Sequence, residues 1–111
     1  MPQNNFSKIL LAAVEESLSS LGDSPKQAIL FYLESSFKIK KENIPMNLTE
    51  FTKALEGIFG PGATYLEELI LKHFYEKLGL ELENTESGDF LERVEDVKRK
   101  LLSGDAKLND E

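Results

Sequence analysis

Residues 21–45 read LGDSPKQAILFYLESSFKIKKENIP, and this stretch decides the fold. Gly22 has no Cβ and tolerates the left-handed turn in which helices end, so it closes the helix that precedes it. Ser24 and Gln27 stand three apart in the pattern of a capping box. Pro25 falls between them at the first helical position, where a missing N–H does no harm. The next six residues, Ala28-Ile29-Leu30-Phe31-Tyr32-Leu33, cover nearly the whole circumference of a helix running from Pro25 to about Lys38. Only Gln27, Glu34 and Lys38 remain as a narrow wet strip. A helix apolar almost all round is either the centre of its domain or part of an interface. Phe31 projects beside the wet strip, which makes it, with Leu30, a candidate for a protein-binding surface.

Upstream, Phe6, Leu10, Val14, Leu18 and Leu21 recur at spacings of four and three, which predicts a first helix over 6–21. Downstream, Lys38 to Pro45 has no sustained period, and the residue before a proline is pushed out of helical geometry. That segment is a connector pinned by Ile39 and Ile44. Asn47 with Glu50 repeats the cap signature, and Leu48, Phe51, Leu55, Ile58 and Phe59 form the stripe of a third helix ending at Gly60-Pro61-Gly62. A fourth helix spans Ala63 to Leu78 and is ended by Gly79; Glu68, Lys72 and Glu76, at successive four-residue steps, mark its wet face. Residues 83–89 are polar and unpatterned, a surface loop. Asp89 with Glu92 caps a fifth helix whose stripe is Phe90, Val94, Val97 and Leu101, closed by Gly104, and 105–111 is a frayed acidic tail.

The expectation is an all-α chain: a compact antiparallel bundle of four helices plus a C-terminal fifth, forming one domain over 1–104. The fifth helix carries a seam only two positions wide, where an embedded helix presents a broader face. Phe90, Val94, Val97 and Leu101 are therefore candidate partner-contacting residues on a separable element. The neighbour expected for the broad second helix is the similarly broad fourth. An internal repeat suggested by two YLE triplets fails on spacing, since Tyr32 follows Gly22 by ten residues and Tyr65 follows Gly60 by five.

Composition narrows the chemistry. The 111 residues contain no cysteine and one histidine, so disulfides, thiolate metal sites and cysteine nucleophiles are absent. No apolar run is longer than Ala28 to Leu33, which falls far short of the roughly 20 residues that span a bilayer. The start MPQNNFSK lacks the basic region and cleavage site of a secretory leader, so the expectation is a cytoplasmic protein with no membrane contact. Net charge is −7, divided as 10 acids against 8 bases over residues 1–78 and 10 against 5 over 79–111. Such acidity repels phosphate backbones and weighs against nucleic-acid binding unless a local basic patch overrides it.

Few residues invite a chemical role. His73 lies near the edge of the fourth helix's apolar side, where a histidine is ordinarily packed or hydrogen-bonded. Glu15-Glu16 and Glu67-Glu68 are adjacent pairs that point in different directions on a helix and cannot flank one bond. Residues 83–94 do not make a calcium loop, because the twelfth position, which needs a bidentate carboxylate, is Val94. Helix three, Gly60-Pro61-Gly62 and helix four have the lengths of a helix–turn–helix, but the second helix begins Ala63-Thr64-Tyr65-Leu66-Glu67-Glu68, with two glutamates where phosphate contacts belong. Lys38, Lys40 and Lys41 form the better basic patch. Arg93, Lys98, Arg99 and Lys100 form a second, the last three of them in final turns where cations offset the helix dipole.

The run LGDSPKQAILFYLESSFKIKKENIP, followed by ALEGIFGPGATYLEELILKHFYEKLG, resembles a family of short archaeal helical domains, the thaumarchaeal-type output domains. The resemblance covers about Ser17 to Leu80. It is carried by Gly22, Ser24, Pro25, Tyr32, Ile44, Pro45, Phe59, Gly60, Gly62 and Gly79. It implies an all-helical fold and a place downstream of signalling, supplies no catalytic residue, and leaves the acidic segment after Leu80 outside. The sequence thus reads as a non-catalytic protein-interaction or signal-output module taking a protein partner or a second copy of itself. The alternative is a nucleic-acid-associated regulator using Lys38, Lys40 and Lys41. No cofactor or metal is expected, since neither a phosphate loop nor metal-ligand spacing occurs. Thermal unfolding followed by circular dichroism is therefore expected to be unmoved by a chelator, and a chelator-induced loss of helicity would reveal a structural metal.

Overall fold

The computed structural model describes residues 2–80 and 89–103, with side chains over 6–80 and 89–100. Five α-helices, α1 (Pro2–Ser19), α2 (Asp23–Phe37), α3 (Leu48–Phe59), α4 (Ala63–Leu78) and α5 (Phe90–Ser103), are joined by 3₁₀ turns at Lys41–Met46 and Gly60–Gly62. No strand occurs among the described residues. The chain is all-α, as its punctuation predicts.

The most extensive packing is between α1 and α4. On α1, Phe6, Leu10, Ala13, Val14, Ser17 and Leu18 are buried, a stripe broadened beyond the predicted one by the small residues Ala13 and Ser17. The buried Ser17 hydroxyl donates to the Ala13 carbonyl at 2.8 Å, which satisfies a polar group that burial would otherwise penalise. On α4 the buried set is Ala63, Leu66, Ile70, Leu71, Phe74, Tyr75 and Leu78. The Phe6 and Phe74 rings meet edge-to-face with centroids 5.6 Å apart.

α2 is not the centre of the bundle, and its neighbours are α1, α3 and the first 3₁₀ turn rather than α4. Only Ile29 and Leu33 are buried on it. Tyr32 lies on the α3 side, where its hydroxyl would be 3.5 Å from a Cβ added to Gly57, and its ring meets Phe37 edge-on at 5.6 Å. Ile39 and Ile44 are both buried, so the connector is pinned as its sequence implies. The chain leaves α2 through Lys38 in a left-handed conformation (φ 60°), and the Ile39 N–H then donates to the Leu33 carbonyl at 3.0 Å. A lysine here is unusual, and the burial of Ile39 behind it is what holds the turn.

Two predicted caps are not made. Gly22 itself is the N-cap of α2, at φ 111°, so the helix begins at Asp23 and Ser24 stands too far inside to cap it. The Asn47 amide donates back to the Asn43 carbonyl at 2.9 Å, because Asn47 also ends the preceding 3₁₀ turn and its side chain serves that turn instead of α3. The third cap is made in full: the Glu92 N–H donates to Asp89 at 3.0 Å and the Asp89 N–H to Glu92 at 3.1 Å, a reciprocal box opening α5. Gly79 ends α4 at φ 74°, as expected.

α5 is docked on α1 and α4. Phe90, Val94 and Val97 are buried in the core together with Arg93, so the inward face is wider than the apolar seam alone. The Arg93 guanidinium reaches Glu68 of α4 at 3.0 Å, and the Lys98 ammonium stands 5.8 Å from the Phe6 ring centroid. The fifth helix therefore completes the core. Leu101 lies outside the residues whose side chains are described, as do Gly104 and the 105–111 tail. Phe74→Ala removes the ring at the α1–α4 contact and is expected to cost about 3–5 kcal/mol in urea unfolding. The exposed Phe31→Ala should stay within about 0.5 kcal/mol of the parent in the same measurement.

Candidate functional site

The outer face of α2 is one of the places where the structure leaves a large apolar side chain uncovered. Ile29 and Leu33 turn inward and Leu30 packs partly against the core, whereas Phe31 is 73% exposed. Helical geometry explains the division: Phe31 lies about 100° from both Leu30 and Tyr32, on the side opposite the buried Ile29 and Leu33. Of the six residues singled out as partner-contacting, Phe31 stands free, Leu30 is shared between core and surface, and Phe90, Val94 and Val97 are inside. The last three can meet a partner only if α5 leaves its seat.

The three lysines of the predicted basic patch differ in their contacts. Lys41 bridges Glu15 at 2.8 Å, and that hydrogen bond raises its pKa above the ordinary lysine value. Lys38 donates to the Ser35 carbonyl at 3.3 Å, helping to close α2. Lys40 alone is exposed without a partner among the described residues. Along the basic run of α5, Asp96 takes both Arg99 at 2.9 Å and Lys100 at 3.3 Å.

His73 joins a surface network rather than a cleft. Its Nδ1 lies 3.2 Å from Glu16, which also accepts a short hydrogen bond from Lys77. The Lys77 contact holds the Glu16 carboxyl below the usual carboxylate range, with His73 adding to the effect. The adjacent glutamates do diverge, Glu15 toward Lys41 and Glu16 toward α4. No three His, Asp or Glu side chains among the described residues stand close enough to hold a metal ion. Residues 83–88 of the weighed calcium loop lie outside the described residues, and Asp89 is taken up by its cap.

At the other end of α4, Glu67 and Glu68 also separate. Glu68 accepts from Arg93, whereas the Glu67 carboxyl is pushed above its ordinary range by burial, with Glu56, Asp89 and Glu68 adding repulsion. Sequence reading missed this site because its members come from α3, α4 and α5. It also missed the burial of Arg93, which is 8% exposed and whose Nε has no partner, and the exposure of Tyr65 and Met46.

Comparison of the chain with family models, with curated proteins and with solved structures finds no match in any of the three. The reading of function rests on the surface itself.

Glu67 supplies a test of the electrostatics. Its raised pKa means that the folded state binds the proton more tightly than the unfolded chain, so stability falls as pH rises through that value. Glu67→Gln is expected to raise the melting temperature at neutral pH by no more than a few degrees, since a partly exposed carboxylate is screened. The gain should vanish as pH drops below the ordinary glutamate range, where the parent is protonated in both states.

Proposed function

We propose that the protein is a non-catalytic interaction or regulatory module that engages a protein partner, or a second copy of itself, through the outer face of α2. The observation that carries this reading is Phe31. A phenylalanine 73% exposed in mid-helix, flanked by Leu30 and the open Ala28, gives up its transfer free energy unless something covers it. Aromatic anchors of this kind supply most of the energy of many interfaces. The rigid seat of α2 on α3 and the first 3₁₀ turn presents the ring with little entropy to lose on binding. The resemblance to thaumarchaeal-type output domains over Ser17 to Leu80 supports a regulatory role downstream of signalling, in the cytoplasm. No helix of the described residues is long and apolar enough to cross a membrane.

A second reading, association with nucleic acid, is favoured by the exposed Lys40 but weakened by the pairing of Lys41 with Glu15. The two separate cleanly. A photo-crosslinking residue at position 31 should trap a protein, self or other, and Phe31→Glu should weaken that association by roughly thirtyfold, the factor to which about 2 kcal/mol corresponds. Light scattering across a concentration series reads the case of self-association. A monomer that yields no adduct from position 31 and is retained on DNA in a salt-dependent manner, with retention lost in Lys40→Glu, would replace the first reading with the second.

A further inference from the structure

A cleft of about 430 Å³ opens where α5 stands off from the start of α3. Among the described residues α5 packs chiefly on α1 and α4, and the first 3₁₀ turn and the head of α3 form the opposite wall. The largely buried Phe6 lines the cleft between them. On the α5 side the lining residues are Leu91, Glu95 and Lys98, spaced four and three apart, so one stripe of the helix runs along about 10 Å of the cleft. Leu48 and Met46 face them, and Met46 is left 73% exposed.

The two charges in this cleft are of opposite sign and lie one helical turn apart, yet they do not pair. Among the described residues neither Glu95 nor Lys98 makes a hydrogen bond or ion pair, and Lys98 has only the Phe6 ring beneath it. One position along the same helix, Asp96 bridges two cations. An unpaired carboxylate and an unpaired ammonium beside Met46, Leu48 and Leu91, with the hydroxyls of Ser7 and Thr49 also in the lining, complement a ligand with both charges at one end and an apolar body at the other. A simple anion is opposed by Glu95 and by the net charge of −7. A simple cation leaves Lys98 unanswered. The volume lies within the range of small-molecule sites and holds one such body with accompanying water.

We propose that this cleft binds a free zwitterionic α-amino acid with a large apolar side chain, of the leucine, methionine or phenylalanine kind. The ligand ammonium faces Glu95, its carboxylate faces Lys98, and its side chain lies against Met46, Leu48 and Leu91. This goes beyond the interaction surface on α2 and does not depend on it. Binding here would tie α5 to the 3₁₀ turn and α3, which it does not otherwise contact extensively, and so give the module a small-molecule input.

The test is titration of the full chain with L-phenylalanine, followed by amide chemical shifts. N-acetyl-L-phenylalanine, which lacks the ammonium, and 2-phenylethylamine, which lacks the carboxylate, serve as single-charge probes. Saturable shifts at Phe6, Leu48, Leu91 and Lys98 are expected with the amino acid. Each single-charge probe should bind about tenfold more weakly, the factor to which about 1.4 kcal/mol corresponds. Glu95→Gln should erase the advantage over the N-acetyl compound and Lys98→Gln the advantage over the amine, with helicity unchanged because neither side chain is buried and the seam of Phe90, Val94 and Val97 still seats α5. Absence of saturable shifts, shifts centred outside the cleft, equal binding of the three probes, or full affinity in both variants would each overturn the proposal.

Discussion

The packing of α1 against α4 is the contact on which the rest of the molecule depends. It joins two helices that are far apart in the chain, and it works because both carry apolar faces broader than a coiled-coil seam. On the α1 side the small residues Ala13 and Ser17 are buried beside the larger ones, and from the α4 side Phe74 meets the ring of Phe6. The polar edge of the same contact is closed by Glu16 with Lys77 and His73, which is where the chain's one histidine is engaged. Being exposed, this ionic edge orients the pair more than it stabilises it.

Once α1 and α4 are joined, each remaining element has a limited place to go. α3 is brought back by the tight Gly60–Gly62 turn, and the first 3₁₀ turn tucks Ile44 beneath α1. α2 is left on the outside, where Leu30, Tyr32 and Phe37 are only partly covered and Phe31 is exposed. That exposure is a consequence of topology: a helix with fewer neighbours buries a narrower face, whatever its composition. α5 occupies the remaining groove and is fastened by three unlike contacts, the buried seam, the Arg93 pair with Glu68, and Lys98 over Phe6. Because it seats on α1 and α4, it stands clear of α3, and the cleft is the space so created.

The molecule thus carries two features that its core does not need. One is the uncovered ring of Phe31, the other a charged and apolar cleft beside α5. The Glu67 carboxyl, pressed by burial and by three like charges, stands at the junction of α3, α4 and α5. It makes that corner sensitive to pH in the sense opposite to the Glu16 corner, since Lys77 favours the charged form of one and burial the neutral form of the other.

Local chemistry determined what the sequence could determine alone. The helix period, the left-handed glycine at 79, the Asp89–Glu92 box and the pinning by Ile39 and Ile44 are all set by residues within a few positions of one another. The caps at Ser24 and Asn47 failed because a neighbour, Gly22 in one case and the preceding turn in the other, claimed the same backbone first. Exposure of Phe31 followed from its place beside the wet strip, but whether α2 lay at the centre or the edge did not. The inward face of α5 is broader than its apolar seam because a buried arginine counts as polar in a pattern, while its aliphatic stem packs like an apolar side chain. Which helix meets which, whether a lysine is paired or free, and where a cleft opens depend on groups distant in the chain that only the tertiary structure brings together. Those decisions rest on surface complementarity between whole helix faces, and no local period encodes it.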